Sequence, residues 1–330
     1  MNATPHTRTI IEQPKLIPTF KAGFDTVANR ISLILLPLAL DLFLWLGPHF
    51  SIKRVLQLTI QQMKNLPGLD ASQLNQLTTA IQNFGDNFNL AIAIRTFPVG
   101  LTSLMWGQTP QQTPLGSAPV IQLPSYTFTF GCWVLFLIVG MTAGSIYFNQ
   151  LSQVVFTNQA SGKLRQLPWT ILQVLVLSLA FLMLAIILSM PVIVMWSVLS
   201  IISPNVAQFI LPFIAIIILW ILVPLVFSPH GIFAYHQNAL ASMLTSTRLV
   251  RASLPGSGLF LLAGLVLSLG LDLLWSAPPD TSWLALVGIA GHAFVTTSLM
   301  AASFVYYRDI MRWAQETLQQ HSASQTPSRV

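Results

Sequence analysis

Two long stretches, Thr96 to Gly162 and Gln166 to Thr247, contain no Asp, Glu, Lys or Arg. Soluble domains carry about 25% charged residues and need them to face water, whereas this chain is 7% charged and 54% hydrophobic. The solvent that suits such segments is lipid. A bilayer gives backbone N–H and C=O groups no partner, so a spanning chain must be helical or form a closed barrel. The alternating pattern of barrel strands is absent, and apolar runs near the roughly 20 residues that a helix needs to cross recur along the chain. Six spans are expected, at 31–48, 127–149, 169–199, 206–228, 257–276 and 282–307. The expected fold class is all-α, a polytopic membrane protein of six transmembrane helices in three hairpins with cytoplasmic interfacial helices.

The basic residues set an expected orientation. With a cytoplasmic N-terminus, segments 1–30, 150–168, 229–256 and 308–330 lie inside and take Arg8, Lys15, Lys21, Arg30, Lys163, Arg165, Arg248, Arg251, Arg308, Arg312 and Arg329. The outside receives Lys53, Arg54, Lys64 and Arg95, all in the single long loop 49–126, which translocates largely regardless of charge. A bacterial plasma membrane with both termini cytoplasmic is therefore the expected setting. Residues 1–30 have no apolar core of their own and no small-residue cleavage site follows the first span, so that span reads as retained. The formal net charge of +6 gathers at span ends, which points to anionic headgroups and not to nucleic acid. Lys163, Arg165, Arg248 and Arg251 are the expected headgroup contacts. Cys132 stands alone and can form no disulfide within the chain.

An internal rhythm accompanies the spans. Segments 147-YFNQLSQVVFTNQASGKLRQLP-168 and 234-AYHQNALASMLTSTRLVRASLP-255 each end in two basic residues and a Pro, and each leads into a span carrying LVLSL, at 175–179 and 265–269. With 17-IPTFKAGFDTVANR-30 in the same position before the first span, three units of interfacial segment plus hairpin are expected. The elbow 239-ALASMLTSTRLVRASLPGSGLFLLAGLVL-267 and the ending 304-FVYYRDIMRWAQE-316 resemble the six-helix membrane domain attached to some glycerophosphodiester phosphodiesterases. That resemblance implies a fold and not a reaction. The catalytic barrel of those enzymes would need roughly 200 or more further residues, for which the chain has no room, so their catalytic residues have no positions here.

Between the first two spans, Leu56, Ile60 and Met63, then Leu74, Leu77, Ile81, Phe84 and Phe88, recur at helical spacing and predict a helical hairpin turning at 65-NLPGLD-70. The run 96-TFPVGLTSLMWG-107 is apolar but too short to cross, and 108-QTPQQTPLGSAP-119 reads as an extended tether. Together they suggest a cap resting on the outer surface with Trp106 at the interface, or else a lid or docking surface.

The polar residues inside spans are the candidate sites. In 38-LALDLFLWLGP-48 and 269-LGLDLLWSAPP-279 a carboxylate sits in an apolar run ahead of Trp and Pro, placing Asp41 and Asp272 at matching depth. One reading makes them an intramembrane proton or solute site. The other has each Asp accept a hydrogen bond from a nearby indole, Trp45 or Trp275, and fix its helix at the aromatic belt. His292, within 288-GIAGHAFVTTS-298, bonds to a neighbouring helix or, more remotely, ligates a haem or pigment. Gly140 and Gly144 form a GxxxG that signals close packing, and Pro191, Pro212 and Pro224 can break spans three and four. No nucleophile elbow, phosphate loop or metal-ligand cluster is present in the sequence, so no catalytic residue, metal or cofactor is expected. The functional expectation is a non-enzymatic structural or accessory membrane component working with membrane lipids and other membrane proteins. The alternative is a small-solute or proton-coupled transporter using Asp41 and Asp272.

Overall fold

Most of the length of the uncharged runs becomes long helices, because in lipid the helix is the conformation that satisfies every backbone group within a single segment. A computed structural model describes residues 13–63, 71–107, 110, 112–156 and 166–325. Its elements in order are α1 (Leu16–Ala28), a 3-10 turn at Ile31–Ile34, α2 (Leu35–Leu46), β1 (His49–Ser51), α3 (Lys53–Met63) and α4 (Ala71–Asn87). Two further 3-10 turns follow, at Leu90–Ile94 and Leu104–Gly107, with β2 (Gln112–Thr113), β3 (Gly116–Ser117) and β4 (Val120–Gln122) after them. The remainder is α5 (Tyr126–Val155), α6 (Leu167–Ile202), α7 (Pro204–Leu222), α8 (Ser228–Tyr235), α9 (Ala239–Ala252), α10 (Leu254–Trp275) and α11 (Ala285–Gln325). Five helices are long and apolar enough to cross a membrane, or six if the bent pair Leu16–Ala28 and Ile31–Leu46 counts as one span. The protein is a predominantly helical, membrane-embedded chain.

The core runs along α11. Its residues Ile289, Ala293, Ala301, Ala302, Phe304, Tyr306, Tyr307 and Ile310 are buried beneath α1, α2, α5, α9 and α10. Small side chains let helices approach closely there, as lipid-immersed helices without a hydrophobic driving force require. Gly23 of α1 is the extreme case, since a Cβ would lie 2.6 Å from atoms of Ala302.

Several features depart from the sequence reading. The segment 31–46, within the expected first span 31–48, reaches spanning length only together with α1, which it meets at 92°. The preceding stretch, expected to lie on the surface, instead packs along α11 through Thr19, Gly23 and Val27. Short strands also appear in a chain expected to be all-helical. β1 and β4 pair in parallel with His49 opposite Val120, and β2 and β3 form a hairpin in which Gly116 takes a positive φ of 104°. The loop 49–126 does contain the helices α3 and α4, joined by Lys53 and Asp86 at 2.7 Å. The turn expected at 65–70 lies outside the described residues, as does the side chain of Trp106.

The largest correction concerns 96–107, which is no surface cap. Val99, Leu101, Ser103, Leu104 and Met105 are buried, and the segment is wedged against α2, α5 and α11. The reason lies in the GxxxG of α5. A Cβ on Gly144 would lie 2.8 Å from the Gly100 Cα, and one on Gly140 would be 2.7 Å from the Ile94 carbonyl carbon. The two glycines therefore receive an irregular segment and not a helix.

At the opposite end of the bundle α9 is clamped beneath the end of α7. Ser246 Oγ donates to the Pro224 carbonyl at 2.7 Å and accepts from Phe227 N at 3.1 Å, while Ser242 Oγ donates to the Ser228 carbonyl. Gln173 of α6 reaches the same layer, accepting from Ala239 N at 2.9 Å.

Candidate functional site

Two features inside the bundle carry chemistry, and they share a wall. The first is a group of ionisable side chains near the α3–α4 end. Asp41, on α2, is fully buried and accepts hydrogen bonds from Ser103 Oγ, from Leu104 N at 3.1 Å and from Met105 N at 3.3 Å. Those donors belong to the turn that closes the wedged 96–107 segment. Irregular backbone at membrane depth survives only when its polar groups find protein partners, and the Asp41 carboxylate supplies them.

Asp272, on α10, accepts from or pairs with His292 Nδ1 on α11 at 2.8 Å. Arg95, just beyond the 90–94 turn, lies within electrostatic reach of both Asp41 and Asp272, and His292 lies within reach of Asp41. Four groups from four parts of the chain thus converge: two carboxylates, a guanidinium and an imidazole. The Nε2 atom of His292 is buried with no hydrogen-bond partner among the described residues.

The indole pairing expected for these carboxylates is not what the structure contains. Trp45 Nε1 donates to the Asp280 carbonyl at 2.9 Å and its ring meets Trp283 edge-on at 6.1 Å, closing the α10–α11 turn over α2. Trp275 Nε1 is buried without a partner among the described residues. Its ring lies on Gly291, whose Cβ would come within 2.6 Å of ring carbons, so the small residues around His292 make room for an indole. The geometric reason is simple: side chains at i+3 and i+4 of a straight helix share a face, but here that face is turned toward other parts of the chain, which offer better partners.

The second feature is a cavity of about 860 Å³. The α6–α7 hairpin is anchored by Thr170, Gln173, Val174 and Leu177 at its base and then diverges from α10 and α11, leaving a gap. Phe181, Leu188 and Leu222 line one side, Phe260, Gly264 and Met300 the other, and no Asp, Glu, Lys or Arg contributes to the lining. Its polar points are few. Thr102 and Thr296 share a hydrogen bond of 2.8 Å, and His230 Nε2 meets Ser303 Oγ at 2.8 Å. Thr296 follows His292 by one turn and Thr102 precedes Ser103, so this threonine pair separates the ionisable group from the cavity. His292 itself is not part of the lining.

Arg248 and Arg251 are exposed on α9, immediately before α10 begins. Lys163 and Arg165, expected to match them, lie outside the described residues. Sequence reasoning missed Arg95, Ser103, the threonine pair and the cavity. The available signal was weak: Thr102 and Ser103 interrupt an otherwise apolar run directly after Arg95. Compared with protein-family models, with curated proteins and with solved structures, the chain matches none.

Proposed function

We propose that this chain is a non-enzymatic component of a bacterial plasma membrane that holds the apolar part of a lipid between its α6–α7 hairpin and the α10–α11 pair. The observation that carries the reading is the charge-free cavity of about 860 Å³, which falls within the roughly 300–1,000 Å³ of small-molecule sites. In this reading six spans form three hairpins with the α9 end of the bundle cytoplasmic, so that exposed Arg248 and Arg251 lie among headgroups and each contributes about 1 kcal/mol. Lys163 and Arg165 have the same role in this reading. The test is to purify the protein in mild detergent and quantify co-purified lipid, then repeat with Gly264→Trp, which puts a large ring into the cavity. The variant is expected to elute unchanged and to have lost its tightly held lipid. An identical lipid complement in both proteins refutes the assignment.

A second reading, a proton-coupled or small-solute transporter, draws on one observation, the convergence of Asp41, Asp272, His292 and Arg95 at one place. It requires an ionisable carboxylate, so Asp272→Asn would abolish proton movement into proteoliposomes while leaving the lipid complement intact.

A further inference from the structure

α1 does not lie on the membrane surface. Gln13 adjoins Gly256 at the start of α10, the Phe20 ring stacks on Phe260 at 5.0 Å, and its edge is 4.0 Å from where a Cβ on Gly264 would be. α10 has 22 residues, about 33 Å at 1.5 Å each, so Gly264, ten residues in, is near its middle. Further along α1, Gly23 presses on Ser298 and Ala302, and Phe24 meets Phe294 at 6.0 Å. α1 therefore rises beside α10 and α11 through at least half the depth of the bilayer.

Its two faces differ. Thr19, Gly23 and Val27 form the buried stripe, while Ile17, Lys21, Asp25 and Ala28 form an exposed stripe on the opposite side. Asp25 is thus a short, exposed carboxylate at the level of the bilayer centre. Lys21 can extend its long stem toward the nearer headgroups, but Asp25 has no such reach. Charged side chains at that depth face a protein partner or an aqueous cavity. Among the described residues no ion pair reaches either side chain.

The stripe is complementary to itself. When two parallel copies of a helix meet about a twofold axis, a residue of one helix lies near the residue about one turn along in the other, as at the flanking positions of parallel coiled coils. Lys21 and Asp25 are four residues apart and opposite in charge, so beside the contact open to them within one helix, two facing stripes offer each side chain a second counter-ion on the other copy, twice over. We infer that the exposed face of α1 is a contact between two copies of this chain, with Lys21 of each copy paired to Asp25 of the other inside the membrane. This contact uses a different face of α1 from Phe20, which lines the cavity, and does not depend on what the cavity holds.

The test is a charge swap read by cross-linking. In a Cys132→Ser background, Ala28→Cys is oxidised in native membranes and the disulfide-linked dimer quantified, alongside the mass of the detergent-solubilised protein by light scattering. The parent is expected to be dimeric and to cross-link. Lys21→Asp or Asp25→Lys alone places like charges across the axis and should reduce the cross-linked dimer at least tenfold, whereas the double variant carrying both exchanges restores it. Restoration separates a lost contact from a misfolded protein. A monomeric parent without cross-linking overturns the inference, as do single variants that cross-link like the parent. A double variant that stays monomeric also overturns it, because that result requires a partner of fixed charge other than a second copy.

Discussion

Replacing Asp41 with Asn tests whether one carboxylate holds the wedged 96–107 segment in place. In the native structure Oδ1 accepts from Ser103 Oγ and Met105 N, and Oδ2 accepts from Leu104 N. An Asn amide can keep one oxygen in place, but its NH2 group then faces a backbone N–H, and a buried donor left without an acceptor costs about 1–3 kcal/mol. The two surviving bonds fall from charge-assisted to neutral strength, a loss of about 1 kcal/mol each. Removing the charge also relieves the desolvation of a buried carboxylate, which offsets part of the loss, while Arg95 is left with one counter-charge fewer. The net destabilisation expected is about 3 kcal/mol, or roughly 6–12 °C in the unfolding midpoint at the scaling of large domains. The assay is a thermal scan of detergent-purified protein at fixed rate for Asp41→Asn, Ser103→Ala and the double variant. Because Ser103 and Asp41 share a bond, the double variant should be less destabilised than the sum of the singles, by about 1 kcal/mol. A midpoint for Asp41→Asn within about 1 °C of the parent, or strict additivity with Ser103→Ala, would refute the reasoning.

Three further outcomes follow from the same structure. Gly140→Ala and Gly144→Ala should each cost about 1–3 kcal/mol by pushing 94–100 out of its seat, while Gly131→Ala on the same helix, where a Cβ meets nothing within 4 Å, should be neutral in the same thermal scan. His49, outside the spans, is held below its ordinary pKa of 6.5 by burial. The unfolded chain therefore binds that proton more readily, so the neutral ring's contribution is present above pH 6.5 and is lost as pH falls below it; His49→Gln should flatten the acid side of a stability-against-pH curve measured beside the parent. Trp45→Phe should lower stability by about 1 kcal/mol, the net worth of one hydrogen bond to the Asp280 carbonyl, whereas Trp275→Phe removes no such bond and should differ measurably from it in the same assay.

What could be read from the sequence follows from what hydropathy measures. The helices long enough to cross were legible because their lipid-facing residues, such as Leu179, Ile187, Phe209 and Leu273, are apolar whatever lies behind them. α1 was not, because Lys21 and Asp25 lower its mean hydropathy while the property that decides its position, the narrow stripe of Thr19, Gly23 and Val27 against α11, contributes almost nothing to an average. The matched position of Asp41 and Asp272 was visible as a repeated pattern, and both do belong to one group of charges. Their partners were not visible. Ser103 is 62 residues from Asp41, and it reaches the carboxylate only because Gly140 and Gly144 admit a non-helical segment to the bundle. The bond between His292 and Asp272 was closer to hand, since both lie on helices joined by a short turn.

The length of α6 has a mechanical consequence. At 36 residues it measures about 54 Å, against a hydrocarbon layer of about 30 Å, and its apolar side chains remain outward-facing as far as Ile202. A rod so oversized is accommodated by tilting, by bending at Pro191 or by local thickening of the bilayer. The gap beside it is therefore expected to change width with bilayer thickness, which comparing the lipid retained after extraction from short-chain and long-chain bilayers would read.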